Sequence, residues 1–502
     1  MLTNGKYLSF MSKPTVIMAT SNGVGAGHLI RTAAIARELR RNVRPILFSM
    51  ANSANEVADA LDMDCEFVPS RDKAWMARIR WDKYLRDRLI ALIDETSAKV
   101  VTFDGVVPYP GILAVKFKRP NVSLVWIRRG MWKSKPQGLA LSLQAKLMDY
   151  VIEPGDLASA YDTGPTKGRN DAVLTKPVSL YKQKRMLDKY SARRLLNLSR
   201  NKTVILIQLG VGELDANEKV RQVIKILSRK RNVQIVMTRE PRNKDGIRLI
   251  SGPTNIKVIR YFPLVEVLNA FDGVICASGY NSVHEVIPAR TPTLFIPNIR
   301  GTDDQMARAK WCADLDLALV TSGDLSDLEE QIEKLLDPAI RAKLRKNCGA
   351  IRKLSGAAEI AELVQIFMDE TVNSLILKRI RYQRLLAQSA FERGIAHLMR
   401  RIVNSLLRAT ALIFRLIFPH ELLHKTSERK DIFFGTCASC ARKVKQKEIR
   451  FEQILAGSSS EYLERRIKIA KRAYQTMESE FTFQMSSGNE GSNSFNSVSK
   501  SA

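Results

Sequence analysis

Short apolar runs separated by helical patterns recur along the first third of the chain, stop, and then begin again. The first series is TVIMAT, RPILFSM, CEFVP, KVVTFDG, VSLVWIRRG and DYVIEP; the second is TVILIQLG, VQIVMT, IKVIRYF, GVICASG, TPTLFIP and LALV. Strands alternating with helices read as βαβ units, which close into a parallel sheet with helices on both faces. Between the two series lies a basic, polar stretch at residues 181–202, the natural place for a boundary. The expected fold is α/β: two doubly wound, Rossmann-like domains at residues 13–180 and 200–368, with a cleft between them. A length of 502 residues agrees, since one core seldom organises so long a chain. Beyond residue 368 the strand signal ends. A basic helical extension is expected over residues 369–485, followed by a tail, residues 486–502, too poor in apolar side chains to order itself. No short-period repeat is present, which excludes a solenoid.

The charge balance bears on partners. The chain has 80 Lys and Arg against 51 Asp and Glu, a formal charge of +29. An excess of this size calls for a polyanion, either nucleic acid or an anionic membrane. Within residues 378–415 nine basic residues meet one acid, Glu392, among long aliphatic side chains. Arg401, Ser405, Arg408 and Arg415 fall on one helical stripe there, with Ile402, Leu406, Ala409, Ile413, Leu416 and Ile417 over much of the remaining surface. A basic amphipathic helix of this kind can lie among anionic headgroups. Aromatic residues are too sparsely interleaved, and nucleic-acid motifs too plainly missing, for DNA or RNA to be the expected partner. The six cysteines do not form a disulfide framework, which fits a reducing cytosol. Neither a signal peptide nor a membrane-spanning run is legible, so membrane contact is expected to be peripheral.

Glycine turns mark the candidate sites. In TVIMATSNGVGAGHLIRTAAIAREL a strand is followed by Gly23, Gly25 and Gly27 and then by a helix. Glycines let a backbone approach a ligand closely, and a helix start offers unpaired N–H groups; an ordinary tight turn has the same pattern. The dinucleotide spacing G-x-G-x-x-G is absent, and no acidic residue closes RPILFSM, which argues against a Rossmann dehydrogenase. His28 opens the helix at the expected cleft, where the dipole favours a neutral imidazole able to take a proton from a hydroxyl; a helix-capping role is the alternative. TVILIQLGVGELDANEKV repeats the device with Gly210 and Gly212, although Glu213 would repel a phosphate. Asp104, Arg128 and Arg129 end expected strands on the cleft side, Asp104 joining His28 as a catalytic candidate and the arginines able to neutralise a diphosphate.

The segment GVICASGYNSVHEVIPARTPTLFIPNIRGTDDQMARAKW is the most specific. It reads as strand, Ser278-Gly279 turn, helix carrying Glu285, strand, then a polar loop and a helix opened by Asp303, Asp304 and Gln305. The turn can donate N–H groups to a diphosphate, and the carboxylate can accept from vicinal ribose hydroxyls.

With these residues the chain resembles GT-B nucleotide-sugar glycosyltransferases of family 28, the group of the bacterial peptidoglycan N-acetylglucosaminyltransferase and plant monogalactosyldiacylglycerol synthases. CASGYNSVHEVIPARTPTLFIP…DDQMARA carries the match in the second domain, and NGVGAGHLIRTAAIAREL a looser one in the first. The resemblance implies that Ser278, Gly279 and Asn281 face the diphosphate, Glu285 the ribose, Asp304 and Gln305 the sugar hydroxyls, and Tyr261 and Phe262 the uracil ring. It makes His28 the base for the acceptor hydroxyl or a stabiliser of the site, and puts Gly25 and Gly27 on the acceptor side and Gly210 and Gly212 on the donor side. The segment of Arg128 and Arg129 has no clear partner in the peptidoglycan enzyme, so their acceptor-side place rests on the expected strand ends alone, with a solvated charge pair as the alternative. It implies a UDP-sugar, probable donor UDP-N-acetylglucosamine, as co-substrate with no cofactor or metal, and a lipid-linked or envelope glycan acceptor at the inner face of the plasma membrane. Val24 and Ala26 stand where the family pattern has glycine, and Gly25 where it has threonine. A UDP-sugar 2-epimerase of the same architecture and a non-catalytic, membrane-tethered scaffold are the alternatives. The formal H-E-x-x-H of His420 and His424, followed by Cys437 and Cys440, leaves a structural zinc site open.

Overall fold

A computed structural model describes residues 13–21, 26–70, 77–133, 145–209, 214–238, 256–298, 302–351 and 354–369. The chain divides into two compact units, Met1–Ser70 with Leu89–Val372 and Arg71–Arg88 with Asn373–Ala502. Of the second unit only residues 77–88 are described, and they include the start of a helix, Arg78–Thr96. The first unit holds two parallel sheets, one per lobe.

The first lobe's sheet has seven strands in the order β3-β2-β1-β4-β5-β6-β7. These are β1 (Thr15–Thr20), β2 (Arg44–Ser49), β3 (Asp64–Phe67), β4 (Val100–Asp104), β5 (Ser123–Ile127), β6 (Tyr150–Pro154) and β7 (Val173–Thr175). β1 and β4 are buried along their whole length, as sheet strands covered on both faces must be. The apolar runs TVIMAT and VVTFD have no polar face to turn to water. Helix α1 (Gly27–Leu39) follows β1, and α2 (Ala54–Leu61) follows β2.

The second lobe repeats the plan with six parallel strands in the order β10-β9-β8-β11-β12-β13. They are β8 (Thr203–Gln208), β9 (Val233–Thr238), β10 (Ile256–Ile259), β11 (Gly273–Cys276), β12 (Thr293–Phe295) and β13 (Leu319–Val320). Ile205, Ile207, Ile235, Ile275 and Leu294 from four strands pack with Leu227, Ile332 and Leu335 from the covering helices. The helices that matter for the site are α3 (Tyr280–Val286) and α4 (Gln305–Asp314). Asp304 sets the start of α4: its carboxylate accepts from Ala307 N at 3.0 Å, meeting an N–H that the helix cannot satisfy.

In each sheet the strand order reverses once, between β1 and β4 and between β8 and β11. Ligands in open α/β sheets bind beyond the strand C-termini at such points. Thr20 and Asp104 are register partners at the end of one pair, and Gln208 and Cys276 at the end of the other. The loops leading to His28 and to Ser278 start there.

One element departs from a simple division at residues 180–200. The last helix, α5 (Gly356–Met368), leaves the second lobe and packs on α1 of the first. The Phe367 ring stacks on Tyr150 with centroids 3.6 Å apart, and Asn42 Nδ2 donates to Gln365 Oε1 at 3.0 Å. Gly356 begins the helix where a Cβ would sit 1.8 Å from the Lys176 carbonyl, so only glycine lets the two backbones pass. The basic stretch at residues 378–415, the expected tail, and His420, His424, Cys437 and Cys440 all lie outside the described residues. Among the described residues, no helix is long and apolar enough to cross a membrane.

Candidate active site

His28 occupies the first turn of α1, and Asp104 is the last residue of β4. Since β4 lies directly beside β1, the chain brings them together across 76 positions: His28 Nδ1 is 2.7 Å from Asp104 Oδ1. Asp104 is fully buried, while the His28 side chain keeps 12% of its surface. The loop that follows is tight as well. Trp126 Nε1 donates to the Gly105 carbonyl at 3.0 Å, and Ser21 N donates to the Asp104 carbonyl at 2.9 Å.

A third member was not anticipated. Arg31, three residues along the same helix face as His28, donates from Nε to Asp104 Oδ2 at 2.7 Å and from Nη2 to Oδ1. Burial alone would raise the Asp104 carboxyl, but the Arg31 charge and the bonds from His28 and Arg31 hold it below the usual range. An ionised carboxylate can only accept, so the short contact from His28 requires the proton on Nδ1 and leaves Nε2 open. Burial, assisted by Arg31 and Arg129 and opposed by Asp104, lowers the His28 value and keeps the ring neutral.

Facing this group are residues of the second lobe. Gly279 precedes α3, and Asn281 Nδ2 donates to the Gly27 carbonyl at 3.0 Å, so the Ser278-Gly279 turn and the α1 start adjoin. Ser278 is fully buried, its hydroxyl donating to the Gln305 carbonyl at 2.8 Å. Glu285, half-buried on α3, is pushed up to about 8 by burial, with Arg37 opposing. Tyr261 and Phe262 are half-buried ahead of the cis Phe262–Pro263 bond.

Several predicted residues are engaged elsewhere. Asp304 caps α4, as above, and its N–H donates to the Met131 carbonyl at 3.1 Å. Gln305 turns inward, its Oε1 accepting from Asn298 N at 3.0 Å. Arg128 corrects the expectation of a phosphate-facing arginine: it is fully buried between Glu153, 3.0 Å away, and Asp171, 2.9 Å away. The side chain is enclosed by these pairs, although its Nη1 makes no hydrogen bond among the described residues. Arg129 is half-buried and pairs with Asp303 at 3.2 Å, its Nε without a hydrogen-bond partner among the described residues. Gly25, Gly210, Gly212 and Glu213 lie outside the described residues; Gly27 is the first residue of α1.

An ionic core under the crevice ties the lobes. Arg308 on α4 donates to Asp156 Oδ2 and to Asp303 Oδ1, each at 2.6 Å, with Asp156 contributed by the first lobe. The Tyr280 hydroxyl donates to the Gly155 carbonyl and accepts from Val178 N, both at 2.9 Å, and the Arg31 guanidinium lies 5.0 Å from its ring. His284 is buried and neutral: Nε2 accepts from Leu157 N at 3.0 Å, so the Nδ1 proton points to the Tyr280 carbonyl. Burial is the main reason its value falls. Helical spacing offered a signal for these residues, with Arg31 at i+3 from His28 and His284 at i+4 from Tyr280. Nothing local marked Asp156.

Residues 204–364 match the model of the glycosyltransferase family 28 C-terminal domain. A UDP-N-acetylglucosamine--N-acetylmuramyl-(pentapeptide) pyrophosphoryl-undecaprenol N-acetylglucosamine transferase of Rhodococcus opacus is 26% identical over 317 residues, covering 60% of this chain and 78% of its own. The like-named enzyme of Haemophilus ducreyi is 23% identical over 371 residues, covering 69% of this chain and 98% of its own. For the fold, a Listeria monocytogenes structure provisionally named a UDP-N-acetylglucosamine 2-epimerase superposes with a TM-score of 0.51 at 12% identity, covering 70% of this chain and 96% of its own. Residues 204–364 are thus a glycosyltransferase family 28 C-terminal domain, and the two parallel-sheet lobes share the fold of the Listeria structure.

Proposed function

We propose that the chain transfers a sugar, N-acetylglucosamine, from a UDP-sugar to the hydroxyl of a lipid-linked acceptor, with inversion, at the cytoplasmic face of the membrane. The observation that carries this reading is the His28–Asp104 pair, 2.7 Å apart at the strand ends of one lobe, opposite the Ser278-Gly279 turn of the other. His28 Nε2 takes the proton of the acceptor hydroxyl as its oxygen bonds to the anomeric carbon. The bond from that carbon to the diphosphate breaks, and UDP leaves with the electron pair. Asp104 holds the ring in register and offsets the imidazolium charge that forms. Backbone N–H groups at the Ser278-Gly279 turn and the Arg129 side chain are assigned to the departing diphosphate, which needs positive partners. Glu285 and Phe262 are assigned to the ribose and the base. The names of the two bacterial relatives support the donor and the acceptor class. The basic residues between 378 and 415 are assigned to anionic lipid.

The test combines a donor-binding screen across nucleotide sugars with measurement of UDP release in the presence of membrane extract. Release that depends on the extract, retained donor binding and lost turnover in His28→Ala support transfer. Acceptor-independent release of a free or epimerised sugar favours the 2-epimerase, and absence of donor binding favours a scaffold. Flotation with anionic liposomes, compared with a chain ending at residue 377, tests the membrane assignment.

A further inference from the structure

The Asp104 carboxylate is gripped at both oxygens by one guanidinium, and that guanidinium belongs to the helix that carries His28. A histidine backed by a carboxylate does not require such a cation. Left alone with an ionised, buried Asp104, the imidazole would be drawn toward protonation against the cost of burial, since each charge would satisfy the other. An imidazolium cannot accept a proton from a hydroxyl. Arg31 supplies the competing positive charge inside the same site, and its Nη2 lies 3.2 Å from His28 Nδ1. Arg31 is itself almost fully buried, with 2% of its side chain exposed, so water does little to screen the effect.

The other charges facing the pair act in the same sense or cancel. On the loop after β5, Arg129 disfavours a second positive charge at His28, and Asp303 beside it partly offsets Arg129. From α3 comes the Tyr280 ring, 5.0 Å from the Arg31 guanidinium, with its hydroxyl locked to Gly155 and Val178. The guanidinium thus rests over a fixed ring of the second lobe, and a cation over an aromatic face is favourable.

We propose that Arg31 is a positioning residue of the transfer reaction: it saturates Asp104 so that His28 stays an uncharged base with the proton on Nδ1, and Tyr280 of the opposite lobe holds it there. The proposal rests on the reading of His28 as the acceptor base. Arg31 touches neither donor nor acceptor in this role; it acts through Asp104.

The decisive measurement is the nitrogen spectrum of the imidazoles in the full-length, isotopically labelled chain. There are five histidines, and His28→Gln identifies the signal of interest. In the wild type, His28 is expected neutral at pH 7 with its proton on Nδ1. In Arg31→Gln its titration is expected to move to higher pH, as the ion pair with Asp104 forms. A wild-type proton on Nε2, or an unmoved titration in the variant, overturns the proposal, and the first of these needs no variant to fold. Turnover adds a second arm: Arg31→Gln should lose about tenfold to a hundredfold in kcat at neutral pH, with a small change in donor KM and recovery toward alkaline pH. Arg31→Lys, which keeps the charge but not the two-pronged grip, should restore part of that loss at neutral pH. A loss that is flat across pH, or equal in both variants, assigns Arg31 a purely structural part and overturns the proposal. If the wild type turns over no nucleotide sugar, the reading of the function fails while the spectra still decide the state of His28.

Discussion

Asn281 Nδ2 donates to the Gly27 carbonyl at 3.0 Å, a side chain of the second lobe closing on the first residue of the helix that carries His28. A hydrogen bond of this type contributes about 1 kcal/mol net. Asn281→Ala should therefore weaken nucleotide-sugar binding by about fivefold, measured by calorimetry, and leave the thermal midpoint within a few degrees. Unchanged affinity would separate this contact from donor binding.

Asp104→Asn replaces an acceptor-only group by one that can also donate. The amide no longer compels the Nδ1 proton on His28, and Arg31 is left buried without its carboxylate. Turnover should fall by about a hundredfold or more. A circular dichroism melt should show a lower midpoint, because removing one member of a buried ion pair leaves an uncompensated charge. Activity within a few fold of wild type would remove Asp104 from the mechanism.

Glu285 predicts a pH dependence of stability. Its carboxyl is raised by burial to about 8 in the folded chain, against an ordinary value of 4.5. A raised folded value favours the protonated, folded form, so its contribution is complete below 4.5 and is lost as the pH rises through about 8. Between those limits the unfolded chain releases the proton while the native one keeps it. Glu285→Gln should flatten the decline in denaturation midpoint between pH 5 and pH 9. A curve of unaltered slope would place the proton elsewhere.

Asp156→Ala tests the ionic core. Arg308 is fully buried and would keep only Asp303 as an ion-pair partner, so the loss should be about 3 kcal/mol or more. Chemical denaturation is the check. A change below about 1 kcal/mol would mean that Arg308 finds a new partner in the variant.

The sheets were legible because burial on both faces leaves no polar alternation: TVIMAT, VVTFD and TVILIQ appear in the sequence as the unbroken apolar strands they become. His28 and Asp104 were legible as strand-end and helix-start residues, and the parallel pairing of β1 with β4 converts those two positions into neighbours. What the sequence did not disclose is which polar side chains face inward. Arg128 and Arg129 are consecutive residues just beyond the end of β5, where no strand alternation foretells direction; one is enclosed by Glu153 and Asp171 while the other reaches Asp303. Asp304 looked like a ligand and is a helix cap, a distinction made by its exit from the polar loop and not by its residue type. Arg31 was masked by the amphipathic pattern of its helix, in which an arginine ordinarily faces water.

The backbone passes between the lobes twice, once after β7 and once before α5, and the two passages touch: Gly356 N donates to the Pro177 carbonyl at 3.2 Å. Two strands of chain bound side by side act as the spine of a book. Gly356 fastens both passages at one point, and a side chain there would force them apart.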